Sequence, residues 1–327
     1  MSKGVIGIDL GGTNVKAALV SVDGQVLEKV SLPTHADEGL EKVLSVMQGS
    51  VENLLQKTGV SRADVLAMGI GAPGPMNWQT GVVYSPPNLP GWKDVPLADL
   101  MAERTGIKTY VDNDANVACW GEFWLGAGRN VHSMCALTLG TGLGGGIVVF
   151  GKLLRGIDGT AAEIGHLCVQ RDGRECGCGA KGCIEQYASV TGMVRTAVEG
   201  LKAGRQSRLT GMCGGDPNAI TGKLISDAHA AGDEFAGWVL HETGVWLGTA
   251  CASLINLLNP EMIVLCGGGI AAGEPLFKPT RETALAQSFE VPGRRCQIVP
   301  AGLGNDAGVI GCAGCALERY REENGVA

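Results

Sequence analysis

Apolar spacing changes period several times along the chain, and each change predicts an element. "KGVIGIDLGGTNVKAALVSVDGQVLEKVSL" runs in short apolar stretches broken at Gly11-Gly12 and Asp23-Gly24, which predicts three consecutive strands joined by tight turns. The period then becomes helical. Leu40, Val43, Leu44, Met47, Val51, Leu54 and Leu55 recur at helical spacing, and the run stops near Gly59. "VLAMGIGAPG" returns as a strand. The predicted order is strand, strand, strand, helix, strand.

The same opening recurs. "SMCALTLGTGLGGGIVVFGKLLRG" again reads strand, glycine turn, strand, short strand, and helical patterns begin near Ser189 ahead of the strand in "MIVLCGGG". A long apolar helix containing Val245, Trp246, Leu247, Leu254 and Leu258 must end before Asn259-Pro260, because proline cannot continue it. Two halves that open alike predict a duplicated α/β fold.

Composition narrows the function classes. A chain of 327 residues, 45% hydrophobic and 18% charged, is long enough for two cored domains and too apolar for disorder. A net charge of −7 disfavours nucleic acid or an anionic membrane as the main partner. No apolar run reaches membrane-spanning length, and Asp9 interrupts the one candidate signal core. The expectation is a cytoplasmic protein. Nine of the twelve cysteines are scattered singly and read as small buried hydrophobes.

Glycine turns carry the first chemistry. In "IDLGGTNVK", Gly11 and Gly12 let backbone N–H groups approach an anion, Thr13 adds a hydroxyl, and Asp9 is placed to hold magnesium through water. A bare hairpin explains the glycines and Asn14, but requires neither the acid nor the threonine. "GTGLGGG" contains a formal dinucleotide fingerprint through Gly140, Gly142 and Gly145. That reading needs a following helix, whereas "IVVF" predicts a strand. A nicotinamide oxidoreductase is therefore excluded, and a second phosphate-gripping hairpin, facing the first across a cleft, fits better. A third cluster, Gly267 to Gly269, leaves a backbone bare enough to admit a flat ring or simply makes a turn.

The acids come next. Asp112, Asn113 and Asp114 fall where a strand gives way to a helix; a helix cap accounts for one of them, not three. A phosphoryl transferase needs an acceptor for the proton of the attacking hydroxyl. Asp114 is assigned that role, with Asp112 in reserve. Asn88, in the stiff loop "SPPNLPGW", offers an amide to sugar hydroxyls or makes a turn.

Cys176, Cys178 and Cys183 lie within eight residues, and His166 is ten upstream of the first. Three thiolates and an imidazole complete a tetrahedral zinc set, and the spacing is not that of a redox pair. Cys168 competes with His166 as fourth ligand.

Together "IDLGGTNVK", "GAPGP", "NLPGW", "DNDANVA", "LTLGTGLGGGI", "EIGHL", "CGCGAKGCIE" and "LNPEMIVLCGGGI" resemble, in order and across the whole chain, the ROK family of sugar kinases and repressors, and within it the bacterial glucokinases. The resemblance implies an actin/hexokinase-like (ribonuclease H-like) duplicated fold, two domains around a cleft, with a zinc-binding insertion at 163–189. It divides the chain into 1–116 plus about 312–327, and 117–311. It implies Asp114 as the base, and Gly74, Asn88, Asn113, Asp114, Glu163, His166 and Glu185 around the sugar. Asp9, Gly11, Gly12, Thr13, Asn14, Lys16, Gly140, Thr141, Gly142 and Gly144 would hold phosphates and magnesium, and Gly267, Gly268 and Gly269 adenosine. His166, Cys176, Cys178 and Cys183 would hold structural zinc.

The implied activity is transfer of phosphate from ATP, with magnesium, to the 6-hydroxyl of a hexose, most simply glucose. Mannose, N-acetylhexosamines and polyphosphate stay open as alternative substrates. Pro75, where some N-acetylhexosamine relatives carry a side chain that reaches the sugar, favours a plain hexose. A sugar-sensing regulator is the contrasting class; the first strand begins by Gly4 with no helix-turn-helix ahead of it, which favours catalysis. Homodimers or homotetramers are implied. The segment 204–219 reads as a surface loop in which Cys213 has no role.

Overall fold

A computed structural model describes residues 3–86 and 88–326 and divides the chain into two compact units. The first holds the residues up to Asn130, Gly146–Ala162 and Gly302 onward; the second holds Val131–Gly145 and Glu163–Ala301. The boundary expected at 116/117 falls inside the helix Asp114–Trp124. That helix stays whole in the first unit because it packs along the helix Ala307–Asn324.

In the first unit β1 (Gly4–Leu10), β2 (Asn14–Ser21) and β3 (Val26–Pro33) form the antiparallel meander that the sequence predicts. The parallel strands β4 (Val65–Ala72) and, beyond three two-residue strands β5 (Met76–Asn77), β6 (Val82–Val83) and β7 (Val95–Pro96), β8 (Thr109–Asn113) complete the order β3-β2-β1-β4-β8. Side chains alternate across this sheet, as a period of two requires. Ile6, Ile8, Leu10, Val15, Ala17 and Leu19 join the core built with the helix Leu40–Thr58. Val5, Ala18 and Val20 point the other way, onto Val309, Ile310, Ala313 and Leu317 of the helix Ala307–Asn324. Gly59 ends the helix 40–58 in the left-handed region, its N–H donating to the Leu55 carbonyl.

A second five-stranded sheet is built from β9 (Met134–Leu139), β10 (Leu143–Val149), β11 (Lys152–Leu153), β12 (Met262–Cys266) and β13 (Gln297–Pro300), in the order β11-β10-β9-β12-β13. The chain passes from one unit to the other within β10, at Gly145–Gly146. β12 runs parallel to both β9 and β13. Each sheet thus sets its first three strands in the order third, second, first, then adds two more. That is the duplication read from the sequence. The segment 204–219 is mostly exposed, as expected of a surface segment, but it is not wholly a loop. It carries the short helix Leu209–Met212 and buries Leu209 and Cys213 among the helices Val190–Lys202, Gly222–Ala230 and Glu234–Leu258, so Cys213 is a core residue. No helix among the described residues is long and apolar enough to cross a membrane.

Two contacts fix the C-terminal helix on the first sheet. A Cβ on Gly7 or Gly69 would strike the Val309 or Cys312 carbonyl, and one on Gly311 would strike that of Val117, so helix, sheet and the helix 114–124 meet backbone to backbone. Fully buried Glu122 then accepts from the N–H groups of Ala127 (2.9 Å), Gly302 (2.9 Å) and Leu303 (2.8 Å), tying the helix 114–124 to the lead-in of the C-terminal helix.

Gly311→Ala is expected to cost about 3 kcal/mol or more in stability, because neither backbone can yield. Gly49→Ala, at an exposed helical position with open space around it, is expected to stabilise by about 0.5–1 kcal/mol. Chemical denaturation of both variants checks the contrast; similar effects at the two sites would contradict it.

Candidate active site

In the first unit the parallel strands β1, β4 and β8 bring their carboxyl ends to one sheet edge, with Asp9 opposite Gly71 and Gly71 opposite Asp112. Such an edge is where open α/β sheets place ligands. The turn leaving β1 is held from below: Gly11 N–H donates to the Asn14 carbonyl (3.1 Å), Thr34 Oγ1 to the Gly11 carbonyl (2.6 Å) and Thr34 N–H to the Thr13 carbonyl (2.9 Å). Gly12, Thr13 and Asn14 are exposed. An added Cβ on Gly12 would come 3.2 Å from the Asn88 Cβ, so the glycine turn and the loop that carries Asn88 are neighbours.

Asp9 lies at the first turn of the helix 307–324, where a Cβ on Gly308 would press on its carboxylate. A helix N-terminus favours negative charge there. Burial pushes its pKa up, against the pull of Lys16. Lys16 sits opposite Asp9 on β2 and donates to the Asn305 carbonyl (3.1 Å). Gly74, with φ of 83°, turns the chain just past β4, whose last residue, Ala72, pairs with Asn113.

The three polar residues where β8 passes into the helix 114–124 are placed in three different ways. Asn113 is the N-cap of the helix 114–124, its Oδ1 accepting from Ala115 N–H (2.9 Å) and Asn116 N–H (3.2 Å). Asp112 is buried. Its Oδ2 meets Arg155 Nε at 2.6 Å, and its Oδ1 accepts from Asn113 N–H (2.8 Å) and Asn116 Nδ2 (3.2 Å). Asp114 alone is exposed, on the first helical turn. Asp112 is thus held in a buried ion pair with Arg155.

Sequence reasoning missed the group behind this loop, for "KLLRGID" has no spacing that marks Arg155. Its guanidinium is 10% exposed, lies over the Trp78 ring at 4.9 Å and faces Glu318 Oε2 at 3.6 Å. That last distance is an ion contact too long for a hydrogen bond. Burial works against the Arg155 charge, yet Asp112, Cys315 and Glu318 together hold its pKa above the ordinary value. Arg319 also lies over Trp78, at 5.1 Å, and donates to its carbonyl at 2.6 Å.

In the second unit the turn after β9 and the turn after β12 leave neighbouring strand ends, and a Cβ on Gly267 would strike the Leu139 carbonyl. Gly140 N–H donates to the Gly142 carbonyl (3.0 Å), and Val190 N–H to that of Gly140 (2.9 Å). Thr141, Gly267 and Gly268 are exposed, Gly269 is buried, and Gly144 already belongs to β10. Glu185 is turned onto this loop: its Oε2 accepts from Leu143 N–H at 3.0 Å and fills the space a Cβ on Gly142 would need. Glu163 is exposed and opens the one-turn helix Ile164–His166, whose Gly165 packs on the Leu143 carbonyl.

His166, Cys176, Cys178 and Cys183 bring their ligand atoms within 4.8 Å of one another. His166 Nδ1 and Cys176 Sγ are 3.6 Å apart, and the sulfurs of Cys178 and Cys183 3.7 Å. Zinc bonds of about 2.3 Å to sulfur and 2.0–2.1 Å to nitrogen give tetrahedral edges of about 3.6 and 3.8 Å, so the donor set fits that ion in chemistry and spacing. Cys168 stands outside the group, its thiol on the Lys181 carbonyl (3.6 Å). The N–H of Ala180 holds the Cys178 thiol below its ordinary pKa, while burial and the neighbouring sulfurs push Cys183 up to about 12.

The chain matches the ROK family over residues 5–319. It is 39% identical over 307 residues to a glucokinase of Halalkalibacterium halodurans, covering 94% of this chain and 92% of the relative. It is 40% identical over 315 residues to a glucokinase of Thermotoga maritima, covering 96% and 98%. Its fold is similar to the crystal structure of a ROK family glucokinase from Streptomyces griseus in complex with glucose and AMPPNP, with a TM-score of 0.80, 36% identity, and 96% and 99% of the two chains covered.

Glu318 gives a pH test of the buried group. Burial pushes its pKa up to about 7, against the pull of Arg155, from an ordinary 4.5. Between those values the folded state keeps a proton that the unfolded chain has released, so stability falls as pH rises from about 4.5 to 7. Glu318→Gln removes that slope. At pH 8 the variant is expected to be the more stable, by at most about 3 kcal/mol, and near pH 4.5 the difference is expected to vanish. Urea unfolding across pH measures it, and a pH-independent difference would contradict it.

Proposed function

The chain belongs to the ROK family, and from that premise we propose that it is a hexokinase that moves the γ-phosphoryl group of ATP to the 6-hydroxyl of a hexose, with glucose as acceptor. The observation that carries this reading is the division of labour where β8 passes into the helix 114–124. Asp112 is committed to Arg155 and Asn113 to the helix cap, while Asp114 stays exposed at the edge that also bears Asp9 and the Gly11–Thr13 turn.

On this reading the glycine turn with Asp9, Asn14 and Lys16 takes phosphate oxygens and the magnesium that accompanies ATP, which neutralises charge on the triphosphate. Gly140, Thr141, Gly142 and Gly144 also serve phosphates, and Gly267 to Gly269 the adenosine. The sugar contacts on this reading are Gly74, Asn88, Asn113, Glu163, His166 and Glu185. The 6-hydroxyl oxygen attacks the γ-phosphorus in line. As its bond to phosphorus forms, the bond from phosphorus to the β,γ-bridging oxygen breaks, and ADP leaves with that electron pair. Asp114 accepts the hydroxyl proton.

The cysteine cluster fits zinc as a structural ion. Ligation through His166 Nδ1 would fix where the other ring nitrogen points, which makes the cluster a support for one of the sugar contacts.

Asp114→Asn is expected to lower kcat for glucose 6-phosphate formation by several orders of magnitude while glucose still binds; activity within tenfold of wild type would remove Asp114 as the base. The purified protein is expected to carry about one zinc per chain. Cys178→Ser is expected to lose it and to raise KM for the sugar. Metal analysis with no zinc would overturn the cluster assignment, and zinc loss with unchanged KM would separate the cluster from the sugar.

A further inference from the structure

We propose that Arg155 is a positioning residue for the Asp112–Asp114 loop: held between Asp112 and Glu318 and laid over Trp78, its guanidinium fixes Asp112 and, through it, the direction of Asp114. The proposal rests on Asp114 being the base and concerns how that base is aimed. Arg155 comes from the segment after β11, Asp112 from the end of β8, Glu318 from the C-terminal helix and Trp78 from the turn after β5. Four parts of one unit therefore meet on one side chain. Arg155 Nε takes Asp112 Oδ2 at 2.6 Å, which leaves Oδ1 to accept from Asn113 N–H at 2.8 Å and Asn116 Nδ2 at 3.2 Å.

Those two bonds fix the Asp112–Asn113 peptide, one residue before Asp114, and a residue on the first turn after it. Asn113 Oδ1, capping Ala115 and Asn116, closes the same turn from the other side. Asp112 is 5% exposed, so without its cation it would be a buried charge that must reorient or take up a proton. Either change alters what Asn113 N–H sees. Trp78 holds the plane of the guanidinium by contact at 4.9 Å, and Arg319 holds Trp78 through its carbonyl. A planar fork reaches two carboxylates in different directions, whereas a lysine ammonium is a single point charge.

Arg155→Lys keeps charge and most of the length but cannot hold Asp112 and Glu318 together. It is expected to lower kcat about tenfold to a hundredfold, the scale of a misaimed catalytic group. KM for ATP should stay within threefold, and Tm should remain well above the assay temperature. A kcat within threefold of wild type, or a loss lying wholly in KM for ATP, would overturn the proposal. If Arg155→Lys does not fold, Glu318→Gln decides in its place: a severalfold fall in kcat at unchanged KM supports the positioning role, and an unchanged kcat overturns it. Asp114→Asn, assayed beside them, separates the two failures. Inactive Asp114→Asn with wild-type kcat in Arg155→Lys overturns the positioning role alone. Near-wild-type Asp114→Asn overturns the assignment of the base and this proposal with it.

Discussion

The backbone-to-backbone seat of the helix 307–324 is the constraint on which the first unit depends. Gly7 and Gly69 on two parallel strands, and Gly311 on the helix itself, leave no room for a Cβ where the elements meet. The gain is proximity. The helix N-terminus comes to the end of β1, where Asp9 sits, and its next turns press the helix 114–124 into line. Further along, the same helix supplies Glu318 and Arg319 to the group that braces Asp112. One rigid element therefore sets the surroundings of Asp9 and of the Asp112–Asp114 loop together. Close packing of this kind has no soft direction in which to relax.

The second unit solves a similar problem with less helix and more chemistry. Its glycine turn is braced by a carboxylate, Glu185 on Leu143 N–H, and by Gly165 on the Leu143 carbonyl. Both residues flank the cysteine group, and Glu185 Oε1 lies 3.9 Å from Cys176 Sγ. Any ion held by His166, Cys176, Cys178 and Cys183 thus stabilises the loop that carries the turn's brace.

Much of this was legible in the sequence because it is local. Hairpins announce themselves by glycine and alternation, the helix 40–58 by its period and Gly59, and the clustering of His166 with three cysteines by their spacing. What was not legible is long-range. Asp112, Asn113 and Asp114 look equivalent as a string, and only Arg155, 43 residues on, shows which carboxylate is spoken for. Trp78 and Glu318 join that group from either side of it in sequence, Glu318 from the C-terminal helix. Segment 204–219, rich in glycine and polar residues, hid two side chains, Leu209 and Cys213, that pack into a helical core. Glu185 was read as a sugar contact, and no local signal marks its bond to Leu143.

The most direct measurement is ADP release by the purified protein with Mg-ATP across a panel of sugars, with product identity read by phosphorus NMR. The expected result is sugar-dependent release, fastest per KM for glucose and giving glucose 6-phosphate, with no release when magnesium is withheld. ADP release that ignores the sugar, or none above background with glucose or any other hexose, would contradict the account.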